Sequence, residues 1–285
     1  MANVLDIRRR IRSVRNIQQI TKAMKMVSAA KLRRAQERVF NARPYANKIL
    51  SVLNDLVSRT ETLGHPLLTR GNGNRVQLVM ITADKGLCGA FNANIIKAAQ
   101  AFMAEHREKQ VVLHCVGRKG RDFYRKRPVT QVHGTVNLFQ RLEYGHAQQI
   151  AGQLIEDFTA ESVDEVYLLY NEFKSVIQQR IVVEPLLPVQ PLEGLANEVL
   201  IDYIYEQPAG ELFDRLIPKH VEVQVYRALL ESAAAEHGAR MTAMDAATNN
   251  AVEMIDHLTL TMNRARQAGI TKEIIEIVSG AAALE

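Results

Sequence analysis

The longest unbroken pattern in the chain is a run of apolar residues at helical spacing from Lys219 to Glu285, a stretch without proline. Leu230, Ala234, His237, Met241, Met244, Thr248, Ala251, Ile255, Leu258, Met262, Ala265 and Gly269 follow in alternating steps of four and three, a heptad seam with mostly small or flexible occupants. At about 1.5 Å per residue one helix of this length extends roughly 100 Å, so much of it projects from any domain this chain can build and needs a partner helix. Two or three helices laid end to end, broken near Gly238 and Gly269, are the alternative. Against them, an interior glycine costs a helix only about 1 kcal/mol relative to alanine. No proline, Asn-Gly or Asp-Gly accompanies either glycine, and the heptad phase crosses Gly238 without a slip.

The partner lies at the other end of the chain. From Asn3, available as N-cap, to about Thr60 the pattern is again that of a long helix, with Ile7, Ile11, Val14, Ile17, Ile20, Met24 and Val27 as its apolar seam. Their mean step of about 3.3 drifts around the axis in the left-handed sense of a supercoil. Pro44 then permits a kink. Gly64, His65, Pro66, Gly71, Asn72 and Gly73 mark a loop between Leu63 and Asn74, and the pattern changes class at Arg75. Strands are predicted at Val76–Thr82, Val111–Gly117, Glu165–Phe173, Arg180–Leu187 and Val199–Tyr205, with helices at Ala90–Arg107, Lys119–Arg125 and Tyr144–Ala160. This alternation predicts a small sheet with helices on its faces, parallel at its start and antiparallel near its end. The domains are therefore an N-terminal helix over 1–62, an α/β domain over 75–208 and a C-terminal helix over 211–285, the two helices pairing as one coiled coil.

With 47% hydrophobic and 24% charged residues the chain is globular, and 6% aromatic residues with no Trp suits helix packed on helix. No run of 18 apolar residues occurs and the basic amino terminus has neither an apolar core nor a cleavage site, so a soluble, cytoplasmic protein is expected. Cys88 and Cys115 fit neither a disulfide framework nor a zinc site and read as buried free thiols. Charge is distributed unevenly. Up to Arg43 twelve Lys and Arg face only Asp6 and Glu37, a balance of +10 in a chain whose total is +5, which leaves the remainder at −5. The basicity belongs to one element and points to an acidic partner surface. A basic amphipathic helix on nucleic acid or anionic membrane is the alternative, but the β-branched and Met seam favours helix packing, and no aromatic residue precedes Phe40 for base stacking.

Candidate chemistry is sparse. The turn Thr82-Ala83-Asp84-Lys85-Gly86-Leu87-Cys88-Gly89-Ala90-Phe91-Asn92 follows a strand and precedes a helix like a phosphate cradle, yet its spacing matches neither the dinucleotide fingerprint nor the phosphate loop, and tight-turn geometry accounts for both glycines. His114, His133 and His146 show no metal-ligand spacing, and no nucleophile has a nearby base, so no catalytic, cofactor or metal residue is assigned.

Several of these stretches resemble the γ subunit of F-type ATP synthase, the central-stalk shaft of the rotary enzyme. Ile20 to Val27 with Ala30 to Gln36 is similar to the family's amino-terminal signature. Asp84-Lys85-Gly86-Leu87-Cys88-Gly89 is similar to its internal one, with Lys85 where arginine is usual; the exchange matters only if a bidentate carboxylate contact is made there. Ala239 to Asn250, Ala265 to Thr271 and Glu276 to Ala281 complete the resemblance, which covers the whole chain, the middle from about Gln110 to Ala209 in layout more than in residues. It implies an antiparallel coiled coil of the terminal helices with an inserted Rossmann-like α/β domain, acting as a non-catalytic rotor. The shaft would turn inside a ring of three α and three β subunits, with its foot on ε and the membrane c-ring, at the cytoplasmic face of the cell membrane in bacterial fashion. No cofactor, nucleic acid or direct small-molecule substrate is implied. Arg266 and Gln267 would meet a catch loop of β, with Arg240, Thr271, Glu273 and Glu276 supporting that region, and Met24 would face the lever of β. Arg8, Arg9, Arg10, Arg33 and Arg34 would share many weak contacts with its acidic lever. The apolar tip, Ile270, Ile274, Ile275, Ile277 and Val278, would turn as a bearing in an apolar sleeve, and would be poorly ordered or adhesive in isolated protein. A basic nucleic-acid-binding coiled coil and an enzyme of the α/β domain remain as competing readings, separable by salt-steep binding to generic nucleic acid and by small-molecule binding at the Asp84 turn.

Overall fold

A computed structural model describes residues 4–57, 65–69, 71, 73–127, 132–176, 178–190 and 209–282. Asn3 as N-cap and the strand expected at Val199–Tyr205 lie outside them. Two compact units form: Met1–Ser28 with Met241–Glu285, and Ala29–Arg240. Both terminal helices thus contribute a segment to each.

In chain order the elements are α1 (Val4–Val57), a 3-10 turn at Pro66–Leu68, β1 (Arg75–Ile81), α2 (Phe91–Glu105), β2 (Gln110–Val116), α3 (Arg118–Tyr124), β3 (Val132–Thr135), α4 (Tyr144–Thr159), β4 (Glu165–Phe173), β5 (Gln179–Leu187) and α5 (Ala209–Ala282), the sheet lying in the larger unit. The sheet order is β3-β2-β1-β4-β5, with all neighbours parallel except β4 and β5. β4 has the bounds read from its near-continuous apolar run, as expected of a strand covered on both faces. β3 was not foreseen, being four residues that include a histidine and a glycine. One face packs Val76, Leu78, Met80, Val111, Leu113 and Cys115 against Ile95, Ala99 and Phe102 of α2 and Tyr124 of α3. The other face is covered by α4, whose Asp157 accepts from Gln77 Nε2 at 3.3 Å, and by α5. Tyr144 Oη donates to Glu222 at 2.6 Å and Arg227 to Glu184 at 2.6 Å, stitching α5 to α4 and β5. From Ala228 to Glu236 every residue of α5 except Ala233 is buried. Gly117 between β2 and α3 has φ +97°, and a Cβ there would stand 2.0 Å from the Thr82 carbonyl oxygen, so only glycine fits.

α5 runs unbroken through Gly238 and Gly269, and also through Pro218, so the end-to-end alternative is not what the chain adopts. α1 likewise continues past Pro44.

The smaller unit is an antiparallel helix pair: Thr248 Oγ1 donates to Thr21 Oγ1 at 2.8 Å, and Lys25 Nζ reaches Asp245 Oδ1 at 2.5 Å. On the α5 side the expected seam holds as far as Ala265, with Met244 and Ala251 buried and Thr248, Ile255, Leu258, Met262 and Ala265 half-buried, while Gly269 is exposed. On the α1 side it does not. Ile7, Ile11 and Val14 face inward as expected, but the inward positions that follow are Gln18, Thr21, Lys25 and Ser28, while Ile17, Ile20 and Val27 are 50%, 58% and 57% exposed. The helix keeps strict alternation of four and three, and the small hydroxyl side chains allow close approach while Thr21 finds partners in Thr248 and the Gln18 carbonyl. No helix described is long and apolar enough to cross a membrane.

Candidate functional site

In the helix pair, α5 continues past the last inward-facing position into a segment where every residue from Arg266 to Ser279 is exposed. Arg266, Gln267, Glu273, Ile270, Ile274, Ile277 and Val278 all stand outward, the last four being 49%, 55%, 71% and 62% exposed. The helix is held by its own backbone and by local ties: Thr271 Oγ1 donates to the Gln267 carbonyl at 3.0 Å, and Lys272 pairs with Glu276 at 3.4 Å. On α1, Arg8, Arg9 and Arg10 are exposed, Arg9 pairing loosely with Asp6 at 3.7 Å. Met24 is half-buried beside the seam. The exposed stripe Ile17, Ile20 and Val27 is a surface that sequence reasoning missed; holding the heptad strictly in phase from Ile7 would have found it.

In the larger unit, Arg33 and Arg34 are exposed, Arg33 lying 3.5 Å from Glu37. The turn Asp84 to Gly89 is tied down from several sides. Asp84 Oδ1 accepts from the backbone N–H of Arg118 at 3.1 Å and of Asn137 at 2.9 Å. Asn92 Oδ1 accepts from the Ala83 N–H at 2.9 Å, and its Nδ2 donates to the Cys88 sulfur at 3.2 Å. Burial pushes the Cys88 thiol up, against the opposing pull of Arg240. Cys115, buried in the core on α2's side, is pushed up to about 12. Both are free. Lys85 is exposed, and Leu87 is 64% exposed with φ +61°, an outward apolar side chain on left-handed backbone.

Arg240 closes over this turn. Expected to support the coupling region, it has a side chain 11% exposed, with Nη2 donating to Glu236 Oε1 at 2.6 Å and to the Gly86 carbonyl at 3.3 Å. Burial raises the Glu236 carboxyl, with Arg240 as the largest opposing influence, and His237 falls to about 4 through burial and then the nearby Arg240 and Lys31. Asp84 Oδ2 is buried without a partner, and Asp84 also raises Glu236. This arrangement fastens helix to turn. Among the described residues no group of three His, Cys, Asp or Glu could hold a metal ion.

The ATP synthase family model matches residues 3–284. The chain is 55% identical to the ATP synthase gamma chain of Solibacter usitatus and 53% identical to that of Geobacter sp. strain M21, each alignment covering all of both proteins. It resembles the central stalk of the Tetrahymena thermophila mitochondrial ATP synthase with a TM-score of 0.61 and 29% identity, covering 80% of this chain and 99% of that one. A chain of the Euglena gracilis mitochondrial ATP synthase in rotational state 3 matches with a TM-score of 0.68 at 19% identity, covering 99% of this chain and 94% of that one, a likeness of fold. Full-length identity of this order, with paired terminal helices and an inserted five-stranded sheet, means that the chain belongs to the ATP synthase gamma chain family.

Proposed function

We propose that this chain is the non-catalytic shaft of a rotary ATP synthase, seated among three α and three β subunits and carried by ε and the membrane c-ring at the cytoplasmic face of a bacterial cell membrane. Turning presents different faces of the helix pair to successive β subunits. Because each conformation of β meets a different set of contacts, its nucleotide affinity changes with the angle, and reciprocity lets hydrolysis turn the shaft the other way. The observation that carries the reading is the end of α5, where charged Arg266, Glu273 and Glu276 and apolar Ile270, Ile274 and Ile277 are all exposed, on a helix that meets no partner from Arg266 to Ser279 among the described residues. A helix end this apolar implies a surrounding surface. The non-catalytic role is supported by the Asp84 turn, where Asp84 Oδ1 and the Gly86 carbonyl are taken up in fastening the turn to the Arg118 and Asn137 backbone and to Arg240 of α5.

Within this reading Arg266 and Gln267 grip β, Thr271, Glu273 and Glu276 flank that grip, and Met24 with Ile17, Ile20 and Val27 forms the outward side of α1. Arg8, Arg9, Arg10, Arg33 and Arg34 supply positive charge to an acidic lever. Ile270, Ile274, Ile277 and Val278 act as the bearing. Arg240 acts from within, by keeping the Asp84 to Gly89 turn on α5. Reconstitution with α and β, for ATPase stimulation, and of the whole complex in vesicles, for ion pumping, tests the assignment. Arg266→Ala with Gln267→Ala is expected to lower ATPase stimulation and ATP-driven ion pumping together, while the isolated chain unfolds at an unchanged temperature; unchanged stimulation and pumping would defeat it.

A further inference from the structure

Phe173, the last residue of β4, is gripped on both of its backbone groups by one ion pair. Its N–H donates to Glu231 Oε2 of α5 at 3.0 Å, and its carbonyl accepts from Arg43 Nη2 of α1 at 3.1 Å. The two side chains close the ring, Arg43 Nε donating to Glu231 Oε1 at 2.9 Å with Nη2 2.8 Å from the same oxygen. The Phe173 ring lies 3.5 Å from where a Cβ on Gly238 would stand, one further contact between the strand end and α5. The Glu231 side chain is 4% exposed and that of Arg43 35%, and the Arg43 guanidinium also lies 5.5 Å from the Phe40 ring centre. Tyr144 to Glu222, Arg227 to Glu184 and Arg240 to Gly86 each join α5 to one other part of the unit. At Phe173 three elements distant in sequence meet.

Such a ring is poorly explained as a source of stability, because desolvating a buried ion pair offsets most of its attraction. What it supplies is direction. Charge-assisted bonds are short, and the planar fork of arginine fixes the angle between its partners as well as their separation. Hydrophobic packing between helices and sheet resists separation but is non-directional, so it resists rotation about the helix axes far less. We propose that Arg43 and Glu231 are positioning residues forming a torsional clamp that fixes the rotational setting of the sheet on α1 and α5, so that twist in the helices reaches the sheet without slack. The proposal rests on the rotor reading above and deepens it by naming where torque leaves the helices for the sheet.

The test uses rotating complexes of α, β and the full chain, with a bead attached through His133→Cys, an exposed position on β3; the native thiols of Cys88 and Cys115 are buried. Arg43→Gln and Glu231→Gln are each expected to keep ATP hydrolysis within about twofold while the spread of bead angles at each pause broadens about twofold, as a locally loosened joint requires. Arg43→Lys, which keeps the charge and loses the fork, should broaden it to a smaller extent. The double variant should match the single ones rather than add to them, since all three open the same ring. Angular spreads equal to those of the parent chain, even with a lowered melting temperature, would reduce the ring to a structural tie and overturn the clamp. If Arg43→Gln alone fails to assemble because it strands a buried carboxylate, the double variant, which has no such charge, is read by the same criterion. Parent complexes that assemble but do not rotate would overturn the rotor reading and this proposal with it.

Discussion

The same helix, α5, behaves in opposite ways in the two units. Within Ala29–Arg240 its polar side chains are turned to the chain itself: Glu222 to Tyr144, Arg227 to Glu184, Glu231 to Arg43 and Phe173, Ser232 to Asn171, Arg240 to Glu236 and Gly86. Within the helix pair the seam narrows from Met244 and Ala251 to half-buried positions, and from Arg266 to Ser279 every residue is exposed. One region carries the information for folding and the other carries information for partners. Substitutions should therefore separate cleanly into those that unfold the chain and those that leave it folded but useless.

Gly117→Ala should have the largest effect. It places a Cβ against the Thr82 carbonyl at a positive φ, and a loss of more than about 4 kcal/mol, enough to prevent folding, is expected. Thermal unfolding or soluble yield reads it; a variant as stable as the parent would mean that the β2–α3 turn is not built as described.

Acid should come next and should act on the sheet unit alone. Burial holds His114, His220 and His237 near pKa 4, against 6.5 for an exposed imidazole. The unfolded chain then binds more protons between those values. Stability is complete above pH 6.5 and falls as the pH drops toward 4, by about 1.4 kcal/mol per pH unit for each fully linked imidazole. Melting temperatures measured across this range should decline steadily, and substituting His114 with a neutral side chain that keeps the fold should flatten the decline. A flat profile in the parent chain would contradict the buried neutral state of these rings.

The smallest effect on the isolated chain belongs to the tip. Ile274→Ala with Ile277→Ala removes side chains that are 55% and 71% exposed, so the unfolding free energy should change by less than about 0.5 kcal/mol. In the assembled complex the same pair should lower the dissociation temperature. A tip substitution that unfolds the isolated chain, or one without effect in the complex, would erase the distinction between the two regions.

How much of this was legible follows the same division. Long-period patterns read well: the α5 seam from Leu230 to Ala265 and the bounds of β4 came from hydrophobic spacing alone, because backbone periodicity and burial agree there. On α1 the apolar positions and the inward positions part at Ile17, because strict heptad phase and not apolar character decides which side meets α5; Ile17, Ile20 and Val27 are outward-facing, and apolar spacing alone does not tell a residue buried in its own fold from one left exposed. The packing of Arg240 is hidden in the sequence for a related reason. Its acceptor is a main-chain carbonyl at Gly86, and a backbone atom leaves no trace in side-chain identity. The glycines between a strand and a helix mark the Asp84 to Gly89 turn in the sequence, but only the bonds of Asp84 to the Arg118 and Asn137 backbone explain why an acid is needed there.

The strand order β3-β2-β1-β4-β5 reverses direction between β1 and β4, and in doubly wound folds the crevice at the carboxyl ends of two such strands is where a nucleotide settles. Here the end of β1 runs into the Gly86 turn, taken by Arg240, and the end of β4 is Phe173, taken by Glu231. Both visitors are side chains of α5. In this chain α5 itself holds both strand ends at that edge of the sheet, the place the proposed clamp makes a joint. On the rotor reading proposed above, a small molecule that displaced these two side chains would act by loosening that joint.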